Sequence, residues 1–228
     1  MNNGVSYMDI DDNVKSTIKE KKLIFYRVIK RTFDIFCAIL GIIMMVPVTV
    51  LVKICYVLSG DFNTIFFVQN RIGKNGKEFR LFKFRTMVPN ADEILFKMLK
   101  ENEEMAKEYK INKKLKNDPR ITKMGRILRK TSLDELPQCY NILYNDMTVI
   151  GNRPYLPREK EDMGKYFDTI VQTKPGLTGY WQTAGRSKTT FQRRLELESF
   201  YSTHYGFKMD LKIFLLTFSV VLFGKGAK

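Results

Sequence analysis

The sequence predicts a mainly helical α+β chain with a membrane-associated helix near its N-terminus, a small β-hairpin and several amphipathic interfacial helices. Three observations carry that expectation. An uncharged run of 18 residues extends from Ile35 to Val52. A strand, turn, strand pattern centred on Asn75-Gly76 follows it. Residues 89–116 are rich in Glu, Lys, Met and Leu without a glycine.

Residues 1–14 are polar and acidic, with too few large apolar residues to pack, and read as a loose tail. From Lys15 to Arg31 basic residues alternate with Leu23, Ile24, Phe25 and Val28, a mixture suited to an interfacial helix. The uncharged run is then roughly 27 Å long as a helix, close to the ~30 Å hydrocarbon core, so a plain span is possible. Two features favour instead a helix that enters and leaves on one side. Pro47 lies mid-run and predicts a bend. Basic residues also flank both ends, Lys30 and Arg31 before it and Arg71, Lys74, Lys77, Arg80, Lys83 and Arg85 after it, which pulls both ends toward the cytoplasm. On these residues alone, the re-entrant helix and the kinked single span remain alternatives.

Strands are predicted at 64–69 and 78–84, joined through Arg71 to Lys77. Residues 89–116 read as one charge-laced amphipathic helix, and further helices are predicted at 132–144, 157–168 and 188–203. The stretch 207–223 mixes Lys208, Asp210 and Lys212 with Phe, Leu and Val, and suits either the membrane surface or the core.

The chemistry is bounded by what is scarce. A formal charge of +15 favours anionic partners: nucleic acid, phosphorylated substrates or an acidic membrane. Cys37, Cys55 and Cys139 are an odd number, two of them in an apolar stretch, so neither a disulfide framework nor a metal cluster is suggested. His204 is the single histidine, which argues against zinc hydrolases and against serine or cysteine triads. Carboxylates must then carry acid, base or nucleophilic work.

Asp134 and Glu135 are the candidates. In Arg129-Lys-Thr-Ser-Leu-Asp-Glu-Leu-Pro137 they stand at a predicted helix start, with Ser132 and Glu135 spaced as a capping box or Asp134 as the cap. Either way the helix dipole would favour the ionised carboxylate, suiting a nucleophile or a magnesium ligand. Taken alone, the pair is better explained by ordinary capping. The surroundings add weight. Residues 120–130 contain five basic residues and no acidic one, Arg153 precedes Pro154, and Arg186 follows Gly185. Arginine forks match phosphate oxygens bidentately.

These residues resemble the monotopic polyprenyl-phosphate phosphoglycosyl transferases, the bacterial sugar transferases. The resemblance runs from about Lys30 to the end. It rests on Lys30-Arg-x-Phe-Asp34, Pro47, Phe67-x-Gln-x-Arg-x-Gly73, Lys83-Phe-Arg-Thr-Met87, Asp118-Pro-Arg-Ile-Thr122, Thr131-Ser-Leu-Asp-Glu-Leu-Pro-Gln138, Asn145-Asp-Met147, Arg153-Pro154, Pro175-Gly-x-Thr-Gly179 and Gly185-Arg186, in that order. Asn152 replaces the family's usual proline, which would loosen the backbone beside Arg153, and Glu198 replaces its usual aspartate.

The chain is expected to divide into a tail (1–14), a basic interfacial segment with a membrane helix (15–60), which the resemblance implies is re-entrant, and a cytoplasmic catalytic domain (61–228) that ends in a membrane-associated helix. The resemblance implies transfer of a sugar-1-phosphate, galactose or glucose or an N-acetylated or modified sugar, from a UDP-sugar to undecaprenyl phosphate at the bacterial cytoplasmic membrane. Such a step begins capsule, exopolysaccharide or O-antigen synthesis, and UMP is released. Asp134 would be nucleophile and Mg2+ contact, and Glu135 the neighbouring acid or base. Arg129, Arg153 and Arg186 would hold phosphates, with Lys83 and Arg85 near the lipid phosphate. Tyr180 and Trp181 are suited to stack on uracil or to fill the core. A homo-oligomer is compatible with the sequence. The competing classes are a membrane-tethered nucleic-acid binder, for which no recognition motif is found, and a polybasic membrane scaffold without catalysis.

Overall fold

The apolar run lies inside one 52-residue helix, α1 (Tyr7–Leu58). The computed structural model describes residues 7–184 and 189–223, with side chains over 23–184 and 189–217. The helix begins within the stretch expected to be loose. Once nucleated, a helix gains one hydrogen bond for each residue it fixes, so it propagates outward from a well-held centre. The interfacial and membrane segments anticipated as separate are therefore one element. Pro47 sits within it, exposed, and the helix continues through. Its missing N–H leaves the Ile43 carbonyl without that partner, and close by Thr49 Oγ1 donates to the Met45 carbonyl at 2.8 Å.

Residues at both ends of the apolar run are fastened to one folded domain. Near its start Lys30 donates to the Ile150 carbonyl at 2.8 Å and pairs with Asp210. The Arg31 guanidinium donates to the Ile142 and Leu143 carbonyls at 2.7 and 3.0 Å. Asp34, buried, accepts from Thr148 Oγ1 and from the Val149 amide at 2.8 Å. Near its end the Tyr56 hydroxyl donates to the Arg85 carbonyl. Between these anchors Ala38, Met45 and Val52 face inward, while Phe36, Leu40, Ile43, Met44, Val50 and Leu51 are exposed. Ala38, Met45 and Val52 recur at seven-residue spacing, so the domain lies against one stripe of the apolar run between the two anchors.

After α1 the chain forms an antiparallel hairpin, β1 (Phe66–Ile72) and β2 (Glu78–Phe84), with Phe66 opposite Phe84 and Ile72 opposite Glu78. Asn75 and Gly76 take φ values of 58° and 76°, the left-handed geometry that their residue types permit in a tight turn. The helix expected over 89–116 is two helices, α2 (Ala91–Glu101) and α3 (Glu103–Asn112). Asn102 separates them: it is extended, and its side chain accepts from the Met105 amide at 2.9 Å, capping α3.

Next come α4 (Lys123–Thr131), α5 (Gln138–Leu143), β3 (Thr148–Ile150), α6 (Lys160–Met163), α7 (Phe167–Ile170), β4 (Gly176–Thr178), α8 (Tyr180–Ala184), α9 (Phe191–His204) and α10 (Phe207–Phe223). β3 and β4 pair in parallel. The helix expected over 157–168 is broken at Gly164, whose φ is 49°. α10 docks through buried Ile213, and Phe214 meets Phe33 of α1 edge-on at 5.3 Å. Asp210 accepts from the Tyr26 and Tyr201 hydroxyls at 2.7 and 2.8 Å. Leu211, Leu215 and Leu216 remain exposed on its outer face, so the helix both joins the core and presents an apolar surface.

Candidate active site

α4 sets the position of the acidic pair. Thr122 caps it by accepting from the Gly125 amide at 2.9 Å, and the helix ends at Ser132, whose φ of 58° reverses the chain. Leu133–Glu135 then form a single 3-10 turn that leads into α5. The capping box expected between Ser132 and Glu135 is absent: Ser132 closes α4 and opens the 3-10 turn in left-handed geometry, and its side chain makes no capping hydrogen bond. Asp134 and Glu135 therefore project from a turn between two helices.

Asp134 is buried and Glu135 partly exposed. Lys83, on β2, donates to Glu135 Oε1 at 3.2 Å. Burial pushes the Asp134 carboxyl above the usual aspartate range. Lys83 pulls it back, Glu135 raises it further, and Arg129 lowers it. The simple expectation of a dipole-stabilised carboxylate is thus replaced by a contest between desolvation and two cations. Arg129 donates through Nε to Thr86 Oγ1 at 2.9 Å.

From Arg129 a strip of positive charge extends through Arg153 to two buried guanidiniums. Arg153 lies near enough to both Arg71 and Arg194 to press their pKa values down, second only to burial itself. Arg129 feels the charge of Asp134 first, then those of Asp118, Arg120 and Arg153. Among the described residues, the buried Nε atoms of Arg71, Arg153 and Arg194 have no hydrogen-bond partner. Buried donors left unsatisfied are costly, and phosphate oxygens are the acceptors that arginine forks fit.

A comparison with family models gives a match to bacterial sugar transferases over residues 25–224. The chain belongs to the bacterial sugar transferase family. Among relatives of this family, it is 39% identical over 201 residues to the undecaprenyl-phosphate galactose phosphotransferase of Salmonella typhimurium, covering 88% of this chain and 42% of that protein. It is 31% identical over 223 residues to the UDP-glucose:undecaprenyl-phosphate glucose-1-phosphate transferase of Escherichia coli, covering 94% of this chain and 43% of that one. Against the exopolysaccharide production protein ExoY of Sinorhizobium fredii it is 37% identical over 198 residues, covering 87% of each. The chain thus spans less than half the length of two of these relatives and most of the third.

Of the residues singled out in this family member, Asp134, Glu135, Lys83 and Arg129 come together, and Arg153 continues the strip. Arg85 does not join them. Its guanidinium is buried and donates to the Thr64 carbonyl at 2.6 Å and to Asp61 at 2.9 Å, and it lies 4.6 Å from the centre of the Tyr56 ring. It fastens the end of α1 to the hairpin instead of offering its donors to a lipid phosphate. Arg186 lies outside the described residues. Tyr180 packs against the core and beside Phe200, 5.6 Å between ring centres, and one face of Trp181 is covered by Arg194 at 4.5 Å. Packing accounts for these contacts of both rings. Asn152, expected to loosen the backbone, pins it: its buried amide donates to the Ile170 carbonyl, Thr173 Oγ1 and Ser202 Oγ at 3.2, 3.1 and 2.6 Å.

Proposed function

We propose that this chain transfers a sugar-1-phosphate from a UDP-sugar to undecaprenyl phosphate at the cytoplasmic face of a bacterial inner membrane, as an initiating step of exopolysaccharide or capsule synthesis. The observation that carries this reading is the position of Asp134. It projects from a turn between Lys83 and Arg129, at one end of an arginine strip, in a domain fastened along an apolar helix. The names of the relatives support galactose or glucose as the sugar, UDP-glucose as one donor type, and undecaprenyl phosphate as the acceptor.

In this mechanism an Asp134 carboxylate oxygen attacks the sugar-bearing phosphorus. The bond from that phosphorus to the bridging oxygen breaks, UMP departs, and a sugar-phosphoryl aspartate remains. An oxygen of the polyprenyl phosphate then attacks the same phosphorus and restores the carboxylate. Arg129 and Arg153 hold the diphosphate, and Lys83 favours the ionised nucleophile. Asp134 would contact a magnesium ion, a metal held by one or two carboxylates together with substrate phosphates. Bound there, it would offset diphosphate charge. The two-ended attachment of α1 supports a helix whose ends lie on one side of the membrane, because a plain span would separate Lys30 and Asp34 from Tyr56 by the bilayer.

The test supplies a panel of UDP-sugars with undecaprenyl phosphate and magnesium, and follows UMP release and sugar-phosphate transfer to lipid. Asp134→Asn is expected to abolish both while the protein remains folded. Full activity in that variant removes the proposed nucleophile, and absence of UMP release from the unaltered protein with every donor favours the scaffold instead.

A further inference from the structure

The segment that carries Arg153 is held by three side chains that do not belong to the acidic turn. Asn152 anchors its near end to Ile170, Thr173 and Ser202. On its far side an Arg71 guanidinium nitrogen donates to the Pro154 carbonyl at 2.9 Å. At the centre the Arg153 amide itself donates to Glu198 Oε1 at 2.8 Å. Of the three holders, only Glu198 is an acid, and it is fully buried on α9. Its second oxygen has no hydrogen bond of ordinary geometry among the described residues, and the Tyr155 hydroxyl is the polar group that faces it.

A carboxylate chosen only to satisfy one amide is an expensive solution, since an amide or hydroxyl would do so without burying an ionisable group. The surroundings give it a second effect. Arg194 lies one helical turn before Glu198 on α9, Tyr155 and Arg153 face it from the loop after β3, and Arg71 on β1 and Lys114 before α4 each interact with Arg153. The charge of Glu198 is therefore set within the same positive strip that Arg153 extends toward Asp134.

We infer that Glu198 is a positioning residue for donor binding: it fixes the backbone of Arg153, and through its proton it sets how much positive charge Arg153 and Arg194 present to a diphosphate. This rests on the proposed use of a UDP-sugar. Burial raises the Glu198 carboxyl to about 7, so it changes charge near neutrality. Protonated Glu198 keeps a carbonyl oxygen for the Arg153 amide and leaves the strip fully positive. Ionised Glu198 keeps the same grip and offsets part of that charge. Donor affinity accordingly falls as pH rises through about 7, whereas Glu198→Gln holds the low-pH behaviour throughout.

Two measurements on the full chain test this. The first is donor KM at pH 6 and pH 8, for the UDP-sugar that gives UMP release. The unaltered protein is expected to show a rise on the order of tenfold, the scale seen when an outer partner of a binding group is altered, and Glu198→Gln a ratio near one. Glu198→Ala, which also removes the grip, should raise donor KM at both values, with acceptor KM unchanged. The second uses Trp181, the single tryptophan, whose ring lies under Arg194. Its fluorescence should titrate near pH 7 in the unaltered protein and not in Glu198→Gln. Parallel KM profiles, or the same fluorescence transition in both proteins, overturn the inference. Glu196→Gln, which alters a carboxylate paired with exposed Arg193 on the same helix, should behave as the unaltered protein. An unaltered protein inactive with every UDP-sugar sinks the donor reading and this role together, whereas an active one with unchanged Glu198→Gln sinks only the role of Glu198.

Discussion

Replacing Gly125 by alanine tests whether α4 positions the acidic turn. On propensity alone the change favours the helix by about 1 kcal/mol. The packing says otherwise. A methyl at Gly125 would stand 2.0 Å from the Thr86 carbonyl oxygen, 2.7 Å from its carbon and 2.8 Å from its Cα. Carbon to oxygen contacts settle at about 3.3–3.6 Å, so α4 must retreat by more than about 1 Å, and no side chain can move aside in its place. That same carbonyl accepts from the Thr122 amide at 3.0 Å, and Thr86 Oγ1 accepts from Arg129. Overpacking of this kind costs about 1–3 kcal/mol, which in a chain of this length lowers the thermal midpoint by about 2–4 °C for each kcal/mol. A displacement of about 1 Å in a catalytic group costs on the order of a hundredfold in rate. Thermal unfolding and UMP release measured together check both effects. Gly206→Ala, with nothing within 4 Å of the new methyl, is the control. A Gly125→Ala protein with unaltered midpoint and unaltered kcat would refute the claim that close α4 packing places Asp134.

Two further outcomes follow from the same geometry. Lys83 lowers the Asp134 pKa against burial, so Lys83→Met should move the acidic limb of the pH profile of kcat/KM to higher pH, and an unmoved limb would remove Lys83 from the ionisation of Asp134. Asn152→Ala leaves the Ile170 carbonyl and the Thr173 and Ser202 hydroxyls without that amide. Loss of such buried partners costs about 1–3 kcal/mol, read as a lower thermal midpoint, and an unchanged midpoint would show that the amide does not pin the loop.

Local signals made the hairpin legible. Asn75-Gly76 announced a tight turn and β2 falls where the pattern placed it, although β1 runs from Phe66 to Ile72, later than its apolar residues suggested. α4 was obscured by its own charge: Arg126, Arg129 and Lys130 drew attention to phosphate, while Thr122 three residues before Gly125 was the capping signal that marked a helix. Asn102 was likewise a cap hidden in a helical composition. β3 and β4 are three residues each and pair across distant sequence, so no local period reveals them. At the site, residue type and spacing pointed to Asp134, Glu135 and Arg129. They did not distinguish Arg85, which is consumed by Thr64 and Asp61, from arginines whose donors remain open. They also did not reveal Arg194, whose place over Trp181 depends on how α8 and α9 meet. Burial and partner choice are properties of the assembled fold, and one-dimensional spacing carries little of either.

The attachment of Arg31 to α5 gives the molecule a fixed gauge. Its guanidinium holds the Ile142 and Leu143 carbonyls at the end of the helix that begins just after the acidic turn. The elevation of Asp134 relative to the apolar helix is therefore built into a rigid link and does not depend on a tether's reach. On the proposed mechanism a lipid-borne phosphate has to arrive at that level, and a bilayer thick or thin enough to shift α1 would shift the Asp134 carboxylate by the same amount.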